Sequence, residues 1–136
     1  MNNNLKIIFD DFLFGSCRIP DDPLFLIEGV YYSPLEYMEE KGFALLNLDE
    51  SNIYLSIYIE YKITPENEKK VKEVCEKINN QVGCNALTKY QSIAGDVDVS
   101  CSHEFTPNSV EDCCSVMDDL VRAKTLFYEE INKAAD

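Results

Sequence analysis

Between Ile53 and Ile63 the chain alternates: Ile53, Leu55, Ile57, Ile59, Tyr61 and Ile63 hold one parity, and Tyr54, Ser56, Tyr58, Glu60 and Lys62 the other. Successive side chains on a strand point to opposite faces, so the pattern predicts one long half-buried strand. Its sheet has one covered face and one wet face, which favours an antiparallel layout. On a helix the same residues would scatter around the whole cylinder.

The flanking segments are patterned less strongly. Leu5, Ile8, Phe9 and Phe12 recur at helical spacing with Lys6, Asp10 and Asp11 opposite them. They predict a short amphipathic helix to about Phe14, a strand being the competing assignment. Gly15 to Pro23 reads as a loop, and Leu24 to Tyr32 as a short edge strand. Ser33-Pro34-Leu35-Glu36 has the form of a helix start. Ser33 is its cap, Pro34 takes the first position, Glu36 completes a capping box, and Gly42 ends the helix. Phe43 to Leu48 then reads as a strand, joined by Asp49-Glu50-Ser51-Asn52 to the long strand as a hairpin.

Thr64-Pro65 is a second cap-plus-proline signal, and Val71, Val74, Cys75, Ile78 and Val82 follow at three- and four-residue steps. The helix expected here runs from Pro65 to Gln81, with Gly83 stopping it. Ala86 to Ile93 is a weakly patterned strand, Ala94-Gly95-Asp96 turns the chain, and Val97, Val99, Cys101, His103 and Phe105 alternate against polar neighbours. This makes a second hairpin. From Ser109 to Ala134 the stripe Val110, Cys113, Cys114, Met117, Leu120, Val121, Phe127, Tyr128 and Ile131 predicts a closing helix. The expected architecture is α+β: an antiparallel sheet of about four to five strands with two long helices packed on one face. It forms a single domain, 1–136, with residues 1–32 as an N-terminal extension packed on a helix-hairpin-helix-hairpin-helix core over 33–136.

Two stretches, IYLSIYIEYKITPENEKKVKEVCEKIN and GDVDVSCSHEFTPNSVEDCCSVMDDL, carry a resemblance. From Ser33 onward the layout resembles the YbjN-type bacterial sensory transduction regulator family, whose fold is similar to the type III secretion chaperones. The resemblance rests on polarity patterns, and the first 32 residues depart from it. It implies a small bacterial cytosolic regulator or chaperone-like binder, often dimeric, with no catalytic residues to carry over.

At 136 residues and 46% hydrophobic, the chain can bury a core without metal or disulfide support. Twenty-five acidic residues against 12 basic ones give a net charge of -13, which repels phosphate backbones and anionic lipid and suits cationic partners. Neither a nucleic acid nor a membrane is therefore expected as partner. Six cysteines would form a disulfide framework in a secreted chain. The start Met-Asn-Asn-Asn-Leu-Lys lacks a basic region, however, and Asp10 and Asp11 interrupt the apolar run after it. The expectation is a cytoplasmic protein with free thiols.

Chemistry is sparse. Cys75, Cys84, Cys101, His103, Cys113 and Cys114 include no C-x-x-C pair, and the expected place of Cys75, Cys101 and Cys113 is the core. His103 shares a strand face with Cys101 at ~6.5–7 Å, too far for a direct hydrogen bond. A vicinal Cys113–Cys114 disulfide would distort its helix. The carboxylate pairs Asp10/Asp11, Asp21/Asp22, Glu39/Glu40, Asp118/Asp119 and Glu129/Glu130 read as solvated faces, and no phosphate-loop, dinucleotide, nucleophile-elbow or zinc-protease motif occurs. No enzyme, cofactor or metal is expected.

What remains is surface. The wet parity of the long strand presents Tyr54, Ser56, Tyr58 and Glu60, and large amphipathic aromatics on a wet sheet face are what interfaces favour. These four are the candidate protein-binding residues, for a protein partner or for self-association as a homodimer. The chain is expected to be a chaperone-like or regulatory binding module. The competing expectation is an acidic immunity or antitoxin-like inhibitor of a basic enzyme.

Overall fold

The computed structural model describes residues 3–19, 25–82, 86–91 and 94–133. Its elements are α1 (Asn3–Ser16), β1 (Phe25–Ile27), β2 (Val30–Tyr37), β3 (Glu40–Asn47), β4 (Asn52–Ile57), α2 (Glu68–Val82), β5 (Leu87–Gln91), β6 (Val97–Phe105) and α3 (Val110–Lys133). Every strand pair is antiparallel, in the order β1-β2-β3-β4-β6-β5. The crossover through α2 therefore puts β5 at the edge, and β6 returns to pair with β4.

One parity of the sheet is buried: Leu35 and Tyr37 of β2, Ala44 and Leu46 of β3, Ile53, Leu55 and Ile57 of β4, Val99 and Cys101 of β6. α3 lies over β4 and β6 with Met117, Leu120 and Phe127 buried, and α2 packs on α3 and β5. α1 packs on α3 and sets Phe12 6.4 Å from the Tyr37 ring. The α+β arrangement is the expected one, with helices on one face of an antiparallel sheet. The sheet carries six strands: the single edge strand expected over Leu24 to Tyr32 is β1 and the start of β2, joined by a turn at Glu28–Gly29, and β2 runs on through the residues expected to be helical.

α3 starts where its cap predicts; α2 is helical only from Glu68, three residues after the expected Pro65, with residues 65–67 forming a turn. Asn67 N–H donates to Thr64 Oγ1 (3.3 Å) and Thr64 N–H to Asn67 Oδ1 (2.8 Å), a capping box with asparagine in the acidic place. Asp112 N–H donates to Ser109 Oγ (3.3 Å) ahead of α3. The ends assigned to Gly83 and Ala134, residues 20–23 of the loop expected over Gly15 to Pro23, Leu24, the end of the fifth strand at Ser92–Ile93, and Cys84 lie outside the described residues; Gly15 and Ser16 belong to α1 and not to that loop.

The helix expected from Ser33 to Gly42 is not formed. Those residues are the second half of β2, a two-residue turn and the start of β3, paired from Val30↔Asn47 to Tyr37↔Glu40. Met38 and Glu39 take φ of 50° and 67°, the left-handed pair that a tight hairpin turn needs. Pro34 is tolerated because of its position. Arg18 and Glu36 exchange backbone bonds (2.8 and 2.7 Å) across the outer edge of β2, so the nitrogen of Pro34, two residues earlier, faces that edge too. β1 reaches only as far as Tyr32, so no ladder bond is lost there. Burial of Leu35 and Tyr37 outweighs a capping signal that is worth about 1 kcal/mol.

The N-terminal segment is more than an added layer. Leu5, Phe9, Phe12 and Leu13 are buried in the same core as the sheet residues, so α1 is the third helix of the covered face.

The long strand is also interrupted. β4 ends at Ile57, opposite Cys101, and the chain regains β6 only at Lys62, opposite Asp98. Five residues on one side thus answer three on the other, a bulge with two extra residues. Tyr58 N–H donates to Lys41 C=O (2.9 Å) on the far side, and Ile63 N–H to Val97 C=O (2.7 Å) after the bulge.

Cys75, Cys101 and Cys113 are buried and act as small core residues, as expected. Burial pushes the Cys75 thiol up to about 11 and Cys113 to about 12, with Cys114 and Asp112 adding to the latter. Cys17 is raised to about 12, chiefly by burial and then by Cys114 and Cys113. At pH 8 these thiols hold roughly a hundredfold or more less thiolate than an ordinary cysteine. Native-state iodoacetamide labelling followed by peptide mass spectrometry should find them unmodified while the urea-unfolded chain labels within minutes; fast native labelling of Cys113 would contradict this packing. The unfolded thiols ionise near pH 9 and the folded ones later, so their contribution to stability is complete below about 9 and fades as the pH rises toward 12.

Candidate functional site

With all three helices on one side, the opposite face is built from the other parity. Register places Tyr32, Leu45 and Tyr54 in one row, ending at Glu104, and Pro34, Phe43, Ser56 and Ser102 in the next. Phe43 is the hub of an aromatic cluster, its ring 5.7 Å from Tyr32, 5.8 Å from Tyr54 and 6.0 Å from Tyr58. Each such pair is worth about 0.5–1.5 kcal/mol, so the rings hold one another in place without help from the helices.

Tyr58 is the exposed member of the cluster, at 48%. Partial desolvation raises its phenol above the usual tyrosine value, and the neighbouring Tyr32 hydroxyl, which shares a hydrogen bond with it, raises it further. The Tyr58 hydroxyl is therefore neutral at physiological pH and able to donate.

The two-residue bulge opens the face beside this cluster. Between the departing chain and β6 lies a cleft of about 610 Å³. Phe43, Tyr54 and Tyr58 supply its aromatic wall, Ser56 and Ser100 its hydroxyls, and Glu60 and Asp98 its carboxylates. Lys62 also lines it, but its ammonium sits 2.9 Å from Asp96, which holds its pKa above the ordinary lysine value. Among the described residues no lysine or arginine pairs with Glu60 or Asp98 at salt-bridge distance.

All four residues singled out from the sequence line this cleft, each differently. Tyr54 is half-buried against Phe43. Ser56 is buried, its hydroxyl donating to Cys101 C=O (3.2 Å), so it ties β4 to β6 and has little surface to offer. Tyr58 projects from the end of the ladder. Glu60 lies in the bulge, where its backbone N–H donates to the Tyr128 hydroxyl (3.2 Å) and its side chain is exposed. Sequence reasoning missed Phe43, Tyr32 and Asp98. The alternation Tyr32, Pro34, Glu36 against Ser33, Leu35, Tyr37 was the available signal, masked by the helix assignment over the same residues.

The cysteine and histidine candidates fall on the covered side. Cys101 Sγ donates to Leu120 C=O of α3 (3.3 Å), and His103 is half-buried, stacked 5.8 Å from Phe105. Among the described residues no group of three or more histidines, cysteines or carboxylates is arranged to hold a metal ion. No described helix is long and apolar enough to cross a membrane. Compared with protein-family models, with curated proteins and with solved structures, the chain finds no match.

Proposed function

We propose that this chain is a non-catalytic protein-binding module of the bacterial cytosol, chaperone-like or regulatory, which engages a protein partner or a second copy of itself through the open sheet face. One observation carries the reading: an aromatic cluster stands on the sheet face opposite all three helices, with Tyr58 half-exposed beside a cleft. Amphipathic aromatics in such positions dominate binding energy at interfaces. The order of hairpin, helix, hairpin and long closing helix from Glu40 onward supports the resemblance to the YbjN-type regulators and the type III secretion chaperones, whereas the leading helix that the resemblance took from Ser33 to Gly42 is replaced by strand.

The double variant Tyr54→Ser/Tyr58→Ser should abolish association, weakening it by roughly thirtyfold or more, while the far-ultraviolet circular dichroism stays that of the native chain. Analytical ultracentrifugation reads self-association, and recovery of a tagged chain from cell lysate reads a partner. Unchanged association would end this reading.

The net charge of -13 favours a second reading, an acidic immunity or antitoxin-like protein that occludes a basic enzyme site. Salt separates the two. Charge-steered association slows as ionic strength rises, whereas an interface centred on tyrosines responds little.

A further inference from the structure

The chemistry of the cleft selects among partners. Its aromatic wall offers ring faces, which attract cations through the ring quadrupole. Two carboxylates, Glu60 and Asp98, line the same space; the one cation among the lining residues, Lys62, pairs with Asp96 (2.9 Å) and also feels the charge of its cross-strand neighbour Asp98, so the acidic groups here outnumber it. An anion entering here would meet like charge. A purely apolar group would leave the carboxylates of the cleft desolvated and unpaired. A guanidinium satisfies both parts at once, since it stacks flat on aromatic rings and its fork of N–H donors matches a carboxylate. The compact, strongly hydrated ammonium of lysine fits the ring faces less well.

We propose that the cleft between the bulge after β4 and strand β6 receives an arginine side chain from an extended, basic segment of the protein partner. The inference rests on the protein-binding reading above and gives the partner its chemistry. At about 610 Å³ the cleft exceeds one side chain, which leaves room for the neighbouring peptide units to lie over Ser100. The adjoining depression, lined by Glu39, Glu40, Lys41 and Lys124, shares Tyr58 and Glu60 with it. Lys124 there is paired with Glu40 (2.9 Å) and Lys41 adds a positive charge, so the cation belongs in the cleft and not in this depression.

The test uses the full chain and the synthetic peptide acetyl-Thr-Val-Thr-Arg-Thr-Val-Thr-amide, with lysine and norleucine in place of arginine as comparison peptides, measured by isothermal titration calorimetry at 50 and 150 mM salt. The arginine peptide should bind about tenfold or more tighter than the norleucine peptide, and severalfold tighter than the lysine one. Glu60→Gln/Asp98→Asn should remove most of that advantage, and Tyr54→Ser/Tyr58→Ser should remove binding, with circular dichroism reporting an intact fold in each case. Equal binding of arginine and norleucine peptides, both lost in the tyrosine variant, overturns the cation site and leaves the sheet-face reading standing. Equal binding of arginine and lysine overturns the guanidinium assignment. Failure of every peptide to bind overturns this proposal outright, and the ultracentrifugation and recovery of the tyrosine variant then judge the sheet face by themselves.

Discussion

Replacing Gly42 with alanine should cost about 3 kcal/mol or more of folding stability, a fall in Tm of roughly 10 °C. Gly42 sits in β3 opposite Ile57, where β4 ends and the bulge begins. A Cβ there would run into the Ser56 carbonyl oxygen and come within 2.8 Å of its carbon and 2.9 Å of Ile57 Cα. All three are backbone atoms, so no rotamer change relieves the clash; the two strands must part, and with them the Tyr58 N–H bond to Lys41 C=O. Gly15→Ala is the control. It lies near the end of α1 with nothing within 4 Å, and should be neutral or stabilising by up to about 1 kcal/mol. Thermal unfolding of the two variants beside the parent checks both, and a Gly42→Ala protein that melts with the parent would show that the strands are not this close.

Phe127→Ala should destabilise the fold by about 3–5 kcal/mol, read as a lower urea midpoint. The ring is fully buried in α3, and the cavity left behind would be walled by helix and sheet on all sides. Its neighbours make the effect more than local. Tyr61, in the bulge, meets the ring edge-on at 5.3 Å, and Tyr128 does so at 5.7 Å while its hydroxyl accepts the Glu60 N–H. Losing the ring therefore loosens both contacts that pin the bulge to α3. Below its lowered melting point the variant should also bind partner less well, although residue 127 lies on the covered side. Phe127→Leu, which keeps most of the volume, should lose only about 1–2 kcal/mol. A Phe127→Ala protein with the parent's urea midpoint would remove α3 as the support of the cleft.

Much of this was legible in the chain. α2 and α3 could be placed because cap residues and a buried stripe agree, each within a few residues of the observed ends. The second hairpin followed from strict alternation over Val97 to Phe105. The failure at residues 33–42 has a definite cause. Ser33-Pro34-Leu35-Glu36 satisfies a local helix rule, and the alternation beneath it covers too few residues to outvote that rule. Only the pairing of β2 along all of β3 reveals a strand.

The sequence by itself determined which side chains go inside: parity in the strands and the three- and four-residue steps in the helices sort apolar from polar positions, and burial follows that sorting. It also determined the candidate face, because Tyr54, Tyr58 and Glu60 occupy the wet parity whatever the sheet's neighbours are. The cleft was decided by tertiary structure alone. An insertion of two residues restores the side-chain period, so Ile57, Ile59, Tyr61 and Ile63 keep their parity through the bulge and the alternation runs unbroken across it. Period carries no information about which partner strand each residue meets. That depends on β6, some forty residues away in the chain, and on the rings of Phe127 and Tyr128, which hold the extra loop of backbone against α3.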